Sequence, residues 1–197
     1  MDRRELLADA GIRLTARGGV RALTHRAVDA EAGLAAGSTS YYARTRRELT
    51  ALVVARVTAQ LSAELGALQI PDDLDDAAVV HIAAAFLEQL AARAEAQAAR
   101  LALLLDLRED EELRTPLTGA DPVRARLNEA ARSLLDALRV ADPDRAAVDL
   151  VGLIDAMLLY RTAAVAPLDP VAVLTAYIAG LPRRADRTTV PASPDEP

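Results

Sequence analysis

Residues 24–49, THRAVDAEAGLAAGSTSYYARTRREL, decide how this chain is interpreted. Thr24 is a favoured helix N-cap residue, and Gly33 is placed to end the helix about nine residues later. After a short turn, a second short helix is predicted from Ala36 to Tyr42. Two short helices joined by a tight turn are typical of a helix-turn-helix, in which the second helix enters the major groove of DNA.

A long helix is predicted directly after this pair. Thr45-Arg46-Arg47-Glu48 has the T-x-x-E pattern of a capping box, in which the Thr hydroxyl and the Glu carboxylate accept free amides at the helix start. Apolar residues then recur at helical spacing as far as Leu68. A helix start that carries two arginines is suited to binding a DNA phosphate.

The composition favours an all-α protein. Among the 52% hydrophobic residues, Ala (44) and Leu (31) dominate, and both lose little side-chain freedom in a helix. The lack of Cys excludes a disulfide scaffold and a thiolate metal site. No apolar run approaches the ~20 residues that span a bilayer, and the N-terminus is charged, so we expect a cytoplasmic protein.

Charge is distributed unevenly along the 197 residues, whose net charge is −6. Residues 1–50 hold nine arginines against six acidic residues, whereas residues 51–197 hold fourteen arginines against twenty-three. The chain has no Lys, which a coding bias explains better than function does. A basic N-terminal region on an acidic remainder indicates that only this region meets a polyanion.

About nine helices are predicted in all. The first runs from about Arg3 to Arg17, and those after Pro71 lie near residues 74–93, 96–107, 122–139, 143–163 and 169–180. Residues 1–47 would form a three-helix helix-turn-helix domain and residues 48–182 a helical body. The polar, proline-rich residues 183–197 are expected to be a disordered tail.

These motifs resemble the TetR family of bacterial one-component transcriptional regulators, strongly over residues 3–60 and in architecture beyond. The matching elements are Thr24, Ala32-Gly33-Leu34, Gly37-Ser38-Thr39, Tyr41-Tyr42, and Arg46 with Leu49. The resemblance implies a repressor that binds a pseudo-palindromic operator as a homodimer and is released by a small-molecule effector. It makes residues 48–182 a ligand-binding and dimerisation domain, with no cofactor.

The family pattern also implies a set of DNA contacts. Phosphates would be contacted by Thr24, Tyr42 and Arg46, and a guanine is within reach of Arg26 or Arg44. Base edges would be faced by Ala36, Gly37, Ser38, Ser40 and Tyr41 of the second helix, the recognition helix. The full predicted set is Thr24, His25, Arg26, Ala36, Gly37, Ser38, Thr39, Ser40, Tyr41, Tyr42, Arg44 and Arg46.

Four residues depart from the family pattern. Ala35 replaces the usual Ser at the start of the recognition helix, which removes a cap worth about 1 kcal/mol. Asp29 stands where a small apolar residue is usual, Ser40 where Tyr is frequent, and Ala43 where Phe commonly closes the core. Because the recognition helix carries only short side chains, we expect phosphate and shape readout to outweigh bidentate base recognition.

The last two helices are predicted to pair with a second subunit, because they are apolar around most of their surface and no later element remains to cover them. The alternative is a central helix buried within one subunit. Gly152 would permit close approach. The predicted interface residues are Val148, Val151, Gly152, Ile154, Met157, Leu158, Val171, Leu174 and Ile178.

The resemblance implies an effector cavity within helices five to seven. Candidate ligand contacts are polar groups within otherwise apolar stretches, although a lone buried His is more often a satisfied core residue. The scarcity of aromatic residues argues mildly against a multidrug cage of stacked rings. The candidates are His81, with Glu88 two turns on, Gln89, Gln97, Arg100, Asp155, Tyr160 and Arg161.

Two other functions remain open. Asp72, Asp73 and Asp76 satisfy a D-D-x-x-D pattern that holds Mg²⁺ in all-α enzymes, but acidic residues are also favoured at a helix start after Pro71. The chain lacks a second metal motif, so we expect neither an enzyme nor a metal site. A helical interaction module whose basic region binds an acidic protein is the other alternative, and it would lack a steep salt dependence on DNA.

Overall fold

The computed structural model describes residues 2–68, 70–71, 74–118 and 122–184. These residues form ten α-helices, which confirms the all-α prediction, and their only β pairing is an isolated bridge between Val140 and Arg183. The helices are α1 (Arg3–Gly18), α2 (His25–Glu31), α3 (Ser38–Tyr42), α4 (Arg46–Gly66), α5 (Asp76–Ala91), α6 (Ala94–Asp106), α7 (Glu111–Arg114), α8 (Pro122–Ala137), α9 (Pro143–Thr162) and α10 (Pro170–Ala179). Short 3-10 turns occupy Val20–Ala22 and Thr115–Leu117.

Helix starts follow the local chemistry of the sequence. Asp142 accepts a hydrogen bond from the Arg145 amide, and Asp169 accepts from two amides at the start of α10, each before a proline whose missing N–H would be unpaired anyway. Asp110 caps the single-turn helix α7 in the same way. No helix is predicted at these residues from the sequence.

The buried residues form two clusters. The N-terminal core is formed by helices α1, α2 and α3, by the first half of α4, and by α6 and α7. It includes Leu7, Leu49 and Leu103. The C-terminal core joins the end of α4 to α5, α8, α9 and α10. Helix α4 contributes Val57 to the first and Leu65 to the second, so one continuous helix belongs to both.

Helices α1 and α4 approach each other closely at Gly11. A Cβ at this position would lie 2.5 Å from Cγ2 of Val53, so only glycine fits without moving the Val53 side chain. Helix α1 also packs along α6. The helix that leads into the helix-turn-helix therefore rests on two helices of the body.

The described chain continues through Arg183 and Arg184, the first two residues of the predicted tail. The Arg183 guanidinium donates to the Asp76 carboxylate at 2.8–2.9 Å, and Arg184 donates to Asp136. These two residues thus pack against the end of the helical body. The rest of the predicted tail, residues 185–197, lies outside the described residues.

No single described helix is both long enough and apolar enough to cross a membrane. Helices α5 and α6 meet that test only as a pair, which is bent by 85° at the break between them.

Candidate nucleic-acid interface and internal cavity

The turn between α2 and α3 depends on two glycines. Thr24 Oγ1 accepts the Ala27 amide at 3.2 Å and caps α2. Gly33 and Gly37 have φ values of 67° and 93°, a region that favours glycine. Because Gly37 is left-handed, α3 begins at Ser38 and not at Ala36 as predicted.

Asp29 supplies the cap that Ala35 cannot. Its side chain is buried on α2 and accepts hydrogen bonds from the Gly37 amide, the Thr39 amide and the Thr39 hydroxyl at 2.7, 2.7 and 2.5 Å. Burial acts to raise the pKa of Asp29, but these hydrogen bonds outweigh it and hold the pKa below its ordinary value. The residue that departs from the family pattern therefore positions the recognition helix.

Thr39 does not face DNA. It is fully buried, and its hydroxyl is engaged by Asp29, so its place in the predicted contact set is corrected to an internal one. The side chain of Tyr41 is 83% exposed, and Ser40 is exposed beside it. His25 is half-buried and its Nε2–H donates to the Ala43 carbonyl at 2.8 Å, which joins the start of α2 to the end of α3.

The remaining predicted DNA contacts lie on or beside the same unit. Tyr42 is half-buried, and its ring meets that of Tyr41 edge-on with centroids 5.1 Å apart. Ser38 donates through its hydroxyl to the Ala35 carbonyl at 2.7 Å. Thr24, Arg26, Ala36, Gly37, Arg44 and Arg46 are all exposed.

Arginines near α3 differ from those of α1 in their ion pairing. Arg26, Arg44 and Arg46 make no ion pair with any residue that the structure describes, although Arg46 donates to the Val20 carbonyl at 3.0 Å. Arg13 and Arg17 instead share Glu31 on α2. Arginines without an ion-pair partner among the described residues therefore precede and follow the recognition helix along the chain.

The capping box at α4 differs from the predicted one by one residue. Thr45 Oγ1 accepts the Glu48 amide at 3.1 Å, as predicted. The Glu48 carboxylate accepts the amide of Arg44 at 2.7 Å, not that of Thr45. Neighbouring Arg47 pairs with Asp110 and Glu112 in the segment after α6, so the start of α4 is tied to the body.

A cavity lies between the two cores, enclosed by α4, α5, α6, α8 and α9. The part of it that the centre of a water-sized sphere can reach is about 30 Å³, which is room for one or two water molecules. Most of its wall is aliphatic, and the rest is polar or charged. The aliphatic side chains larger than Ala are Val57, Leu61, Leu90, Leu127, Val151, Ile154 and Leu158, and the polar residues are Gln60, Glu64, Arg93, Gln97, Arg100, Arg124 and Asp155.

Three of the seven predicted ligand residues, Gln97, Arg100 and Asp155, line this cavity. The other four do not: His81 and Gln89 on α5 and Tyr160 and Arg161 on α9 are exposed on the outside of the helices. Glu88 pairs with Arg161 and not with His81, and this hydrogen bond lowers the pKa of Glu88. His81 lines a separate surface groove between α5 and α10.

Glu64, Arg93, Arg124 and Gln60 were missed. A signal existed for two of them, because Glu64 follows Leu61 at helical spacing and Arg124 precedes Leu127 in the same way. A charged residue that interrupts an apolar stripe must be buried at a polar site or displace the helix from its core. The sequence around Gln60 and Arg93 has no such signal.

The charged groups of the cavity form two clusters. The Asp155 carboxylate forms ion pairs with two guanidinium groups, that of Arg100 at 3.4–3.5 Å and that of Arg124. Glu64 contacts the guanidinium of Arg93, but its Oε1 is buried without hydrogen-bond geometry to any described donor. Burial raises the pKa of Glu64, and Arg93 lowers it by less. Glu64 is therefore incompletely satisfied.

The predicted dimer interface is corrected for most of its residues. Val151, Ile154, Met157, Leu158, Leu174 and Ile178 are buried inside the subunit, because α9 packs on α5, α6 and α8 and α10 packs on α5. Only Val148, Gly152 and Val171 are exposed, with the two valines 55% and 53% exposed. Further exposed apolar residues on or beside these helices are Leu159, Tyr160, Val165 and Leu168.

The two described carboxylates at the start of α5 form a helix cap and an ion pair. Asp75 accepts the Ala78 amide at 2.7 Å, and Asp76 pairs with Arg183. Asp72 and Asp73 lie outside the described residues. Within the described ranges, no three His, Cys, Asp or Glu residues come together as a metal site would require.

Residues 74–184 match the family described as tetracyclin repressor-like, C-terminal domain. No curated protein matches the sequence. Among solved structures, a member of the TetR family from Streptomyces coelicolor A3 is 25% identical with a TM-score of 0.65, covering 90% of this chain and 98% of that one. A transcriptional regulator from Rhodococcus sp. Rha1 shares the fold at 19% identity, with a TM-score of 0.72 and coverages of 90% and 95%. The multidrug binding protein EbrR complexed with imidazole is 27% identical with a TM-score of 0.60, covering 95% of this chain and 99% of that one.

Proposed function

The chain belongs to the TetR family, and on this premise we propose that it is a cytoplasmic repressor that binds a pseudo-palindromic operator as a homodimer and is released by a small-molecule effector. The observation that carries the proposal is the position of α6. Its first half lines the cavity through Gln97 and Arg100, and its last residue, Asp106, accepts the Val20 amide at 3.3 Å just before the helix-turn-helix.

This arrangement supports a mechanical link between effector and DNA. Helix α6 packs along α1, and α4 runs from the cavity to the segment that follows the recognition helix. A ligand that changes the separation of α4 and α6 would displace both supports of the helix-turn-helix. Two recognition helices must be about one DNA turn apart, ~34–36 Å, to dock together, so this displacement would release DNA.

Direct contact with DNA is proposed for the exposed residues of the predicted set. These are Thr24, Arg26, Ala36, Gly37, Ser40, Tyr41, Arg44 and Arg46, with half-buried His25, Ser38 and Tyr42 beside them. The unpaired arginines would bind phosphates, since charge-assisted hydrogen bonds to phosphate carry most of the affinity.

The partner in the dimer is a second copy of the chain, bound through the outer faces of α9 and α10. Val148, Gly152 and Val171 remain from the predicted interface, and Leu159 and Tyr160 extend it. Exposed apolar groups concentrated on one pair of helices are typical of an isologous contact.

A regulatory role agrees with the known relatives, and an enzymatic role is not proposed. EbrR, crystallised with imidazole and with proflavin, is a binding protein at 26–27% identity, which supports a ligand site within this fold. Of the three carboxylates of the metal-dependent alternative, Asp72, Asp73 and Asp76, the described one, Asp76, pairs with Arg183.

The test is DNase footprinting of the intergenic region beside the protein's own gene. We expect protection of a pseudo-palindrome, and a steep loss of affinity as salt rises because several phosphates are neutralised. Arg46→Ala and Tyr42→Phe should weaken operator and random DNA alike, by about tenfold or less, because phosphate contacts carry no sequence information. Arg132→Ala, which removes the same charge from an exposed pair on α8, is the matched control and should bind as the unmodified protein does.

Two results would contradict the proposal. The first is an unprotected intergenic region. The second is binding that is insensitive to salt, which would favour a protein-interaction module. Unequal losses on operator and random DNA would instead show that Arg46 or Tyr42 reads bases.

A further inference from the structure

The chemistry of the cavity wall restricts what the effector can be, on the premise of the proposed function. Seven large aliphatic side chains line it, and none of its lining residues is aromatic. Such a wall favours an aliphatic body over a flat ring system, because it offers no ring with which a ligand ring could stack.

The charges of the wall do not cancel. Three guanidinium groups, those of Arg93, Arg100 and Arg124, face two carboxylates. Arg100 and Arg124 have side chains only 13% and 17% exposed and share the single carboxylate of Asp155. A largely buried cation without its own anion is unfavourable, so a further negative charge beside this pair would be stabilising.

The geometry at Arg100 indicates where an anion would bind. Its guanidinium approaches Asp155 only to 3.4–3.5 Å, whereas a charge-assisted hydrogen bond is about 2.7–2.9 Å long. Its five N–H groups have no other acceptor among the residues that the structure describes. A planar carboxylate matches this planar donor set with two parallel hydrogen bonds.

The opposite chemistry is disfavoured. Asp155 is already paired with Arg100 and Arg124, so a cationic ligand would have to bind the other cavity carboxylate, Glu64. Glu64, however, already contacts Arg93. Burial also favours the neutral form of Glu64. An ammonium group would therefore compete with Arg93 for a carboxyl group that resists ionisation.

We propose that the effector is a carboxylate on an aliphatic body, with its charged group held by Arg100 and Arg124 and its body against the leucine, isoleucine and valine side chains. Asp155 holds the two guanidinium groups in place and competes with the ligand for them. Its charge therefore weakens effector binding while its contacts keep the two guanidinium groups beside each other.

The test is calorimetric titration of the full, DNA-free protein with straight-chain probes from butanoate to decanoate, each compared with the alcohol and the primary ammonium of the same length. At the best chain length, the carboxylate should bind at least tenfold more tightly than the alcohol, and the ammonium should bind most weakly. The proposal is overturned if the alcohol or the ammonium binds as tightly as the carboxylate, or if no carboxylate binds.

Variants locate the binding. Arg100→Gln and Arg124→Gln should each weaken carboxylate binding about tenfold and leave alcohol binding unchanged, whereas Arg161→Gln, outside the cavity, should alter neither. Asp155→Asn should strengthen carboxylate binding, an effect that loss of structure would not produce. Unchanged carboxylate binding in Arg100→Gln and Asp155→Asn would overturn the assignment, and circular dichroism checks that each variant is folded.

These results are separable from the proposed function, because the titration contains no DNA. A protein that protects its operator but does not select carboxylates would retain the repressor assignment and lose this one. Selective carboxylate binding without operator protection would do the reverse.

Discussion

Two buried acids, Asp29 beside the recognition helix and Glu64 at the cavity, are equally hidden from solvent, at 3% exposed each, yet their pKa values move in opposite directions. Asp29 accepts three hydrogen bonds from Gly37 and Thr39. Glu64 has only the guanidinium of Arg93, whose side chain is 46% exposed. Hydrogen bonding exceeds the cost of burial at the first site and falls short at the second.

The comparison separates a fully hydrogen-bonded carboxylate from an incompletely bonded one. A fully satisfied carboxylate holds its neighbours in one geometry, as docking into a DNA groove requires. Incompletely satisfied groups gain from a new partner, as a ligand site requires. The three predictions below test this difference, in order of expected size.

Asp29→Ala should be the most damaging of these changes. It leaves two amides and one hydroxyl buried without an acceptor, so we expect a loss of about 3 kcal/mol in the free energy of unfolding. Operator affinity should fall at least tenfold because α3 loses its cap. Urea unfolding and a DNA-binding titration measure the two effects.

The pH dependence of stability sharpens this prediction. Because the pKa of Asp29 is lowered on folding, its stabilisation is present above the unfolded value of 3.8 and is lost as pH falls through the folded pKa. Asp29→Asn keeps one acceptor oxygen, so at neutral pH its free energy of unfolding should lie between those of Asp29→Ala and the unmodified protein. Equal stability of Asp29→Ala and the unmodified protein would show that α3 does not depend on this cap.

Gly37→Ala should have a smaller effect, because it adds strain without orphaning a polar group. At φ 93° a Cβ costs about 1–2 kcal/mol, although no atom lies within 4 Å of it. Thermal unfolding should show this loss. Gly66→Ala, at a position without positive φ and with equally open space, is the control and should not destabilise the protein.

Glu64→Gln should have the smallest effect and the opposite sign. Because burial raises the pKa of Glu64, the folded protein loses stability as pH rises from the unfolded value of 4.5 through the folded pKa. The neutral amide removes this loss, so we expect a gain of about 1 kcal/mol at pH 7 that shrinks toward pH 4.5. A destabilised variant at pH 7 would show that the contact with Arg93 outweighs burial.

Some helix starts and the fold class can be predicted from residues that are neighbours in the sequence. Thr24, Thr45 and Asp142 cap helices that begin where the sequence predicts, because a side chain at the N-cap bonds to an amide only three residues later. The all-α class follows from the Ala- and Leu-rich composition in the same way. The start of α3 was misplaced, since the left-handed conformation of Gly37 is not marked by its neighbours.

Other parts required long-range packing. The apolar residues of α9 cover nearly its whole surface, so the sequence could not show that Val151 and Ile154 face their own subunit while Val148 faces outward. The cavity has the same origin, because Arg100 and Asp155 are far apart along the chain and meet only where α6 crosses α9.

The sequence by itself determined most of the helices and their N-caps, the helix-turn-helix and the family, because these depend on hydrogen bonds and periodicities within a few residues. Only the tertiary structure decided that Asp29 caps the recognition helix, that α4 and α6 join the cavity to the DNA-binding unit, and that three arginines share two carboxylates. The energy of a buried charge depends on every group packed around it, and that set is established only when distant helices meet.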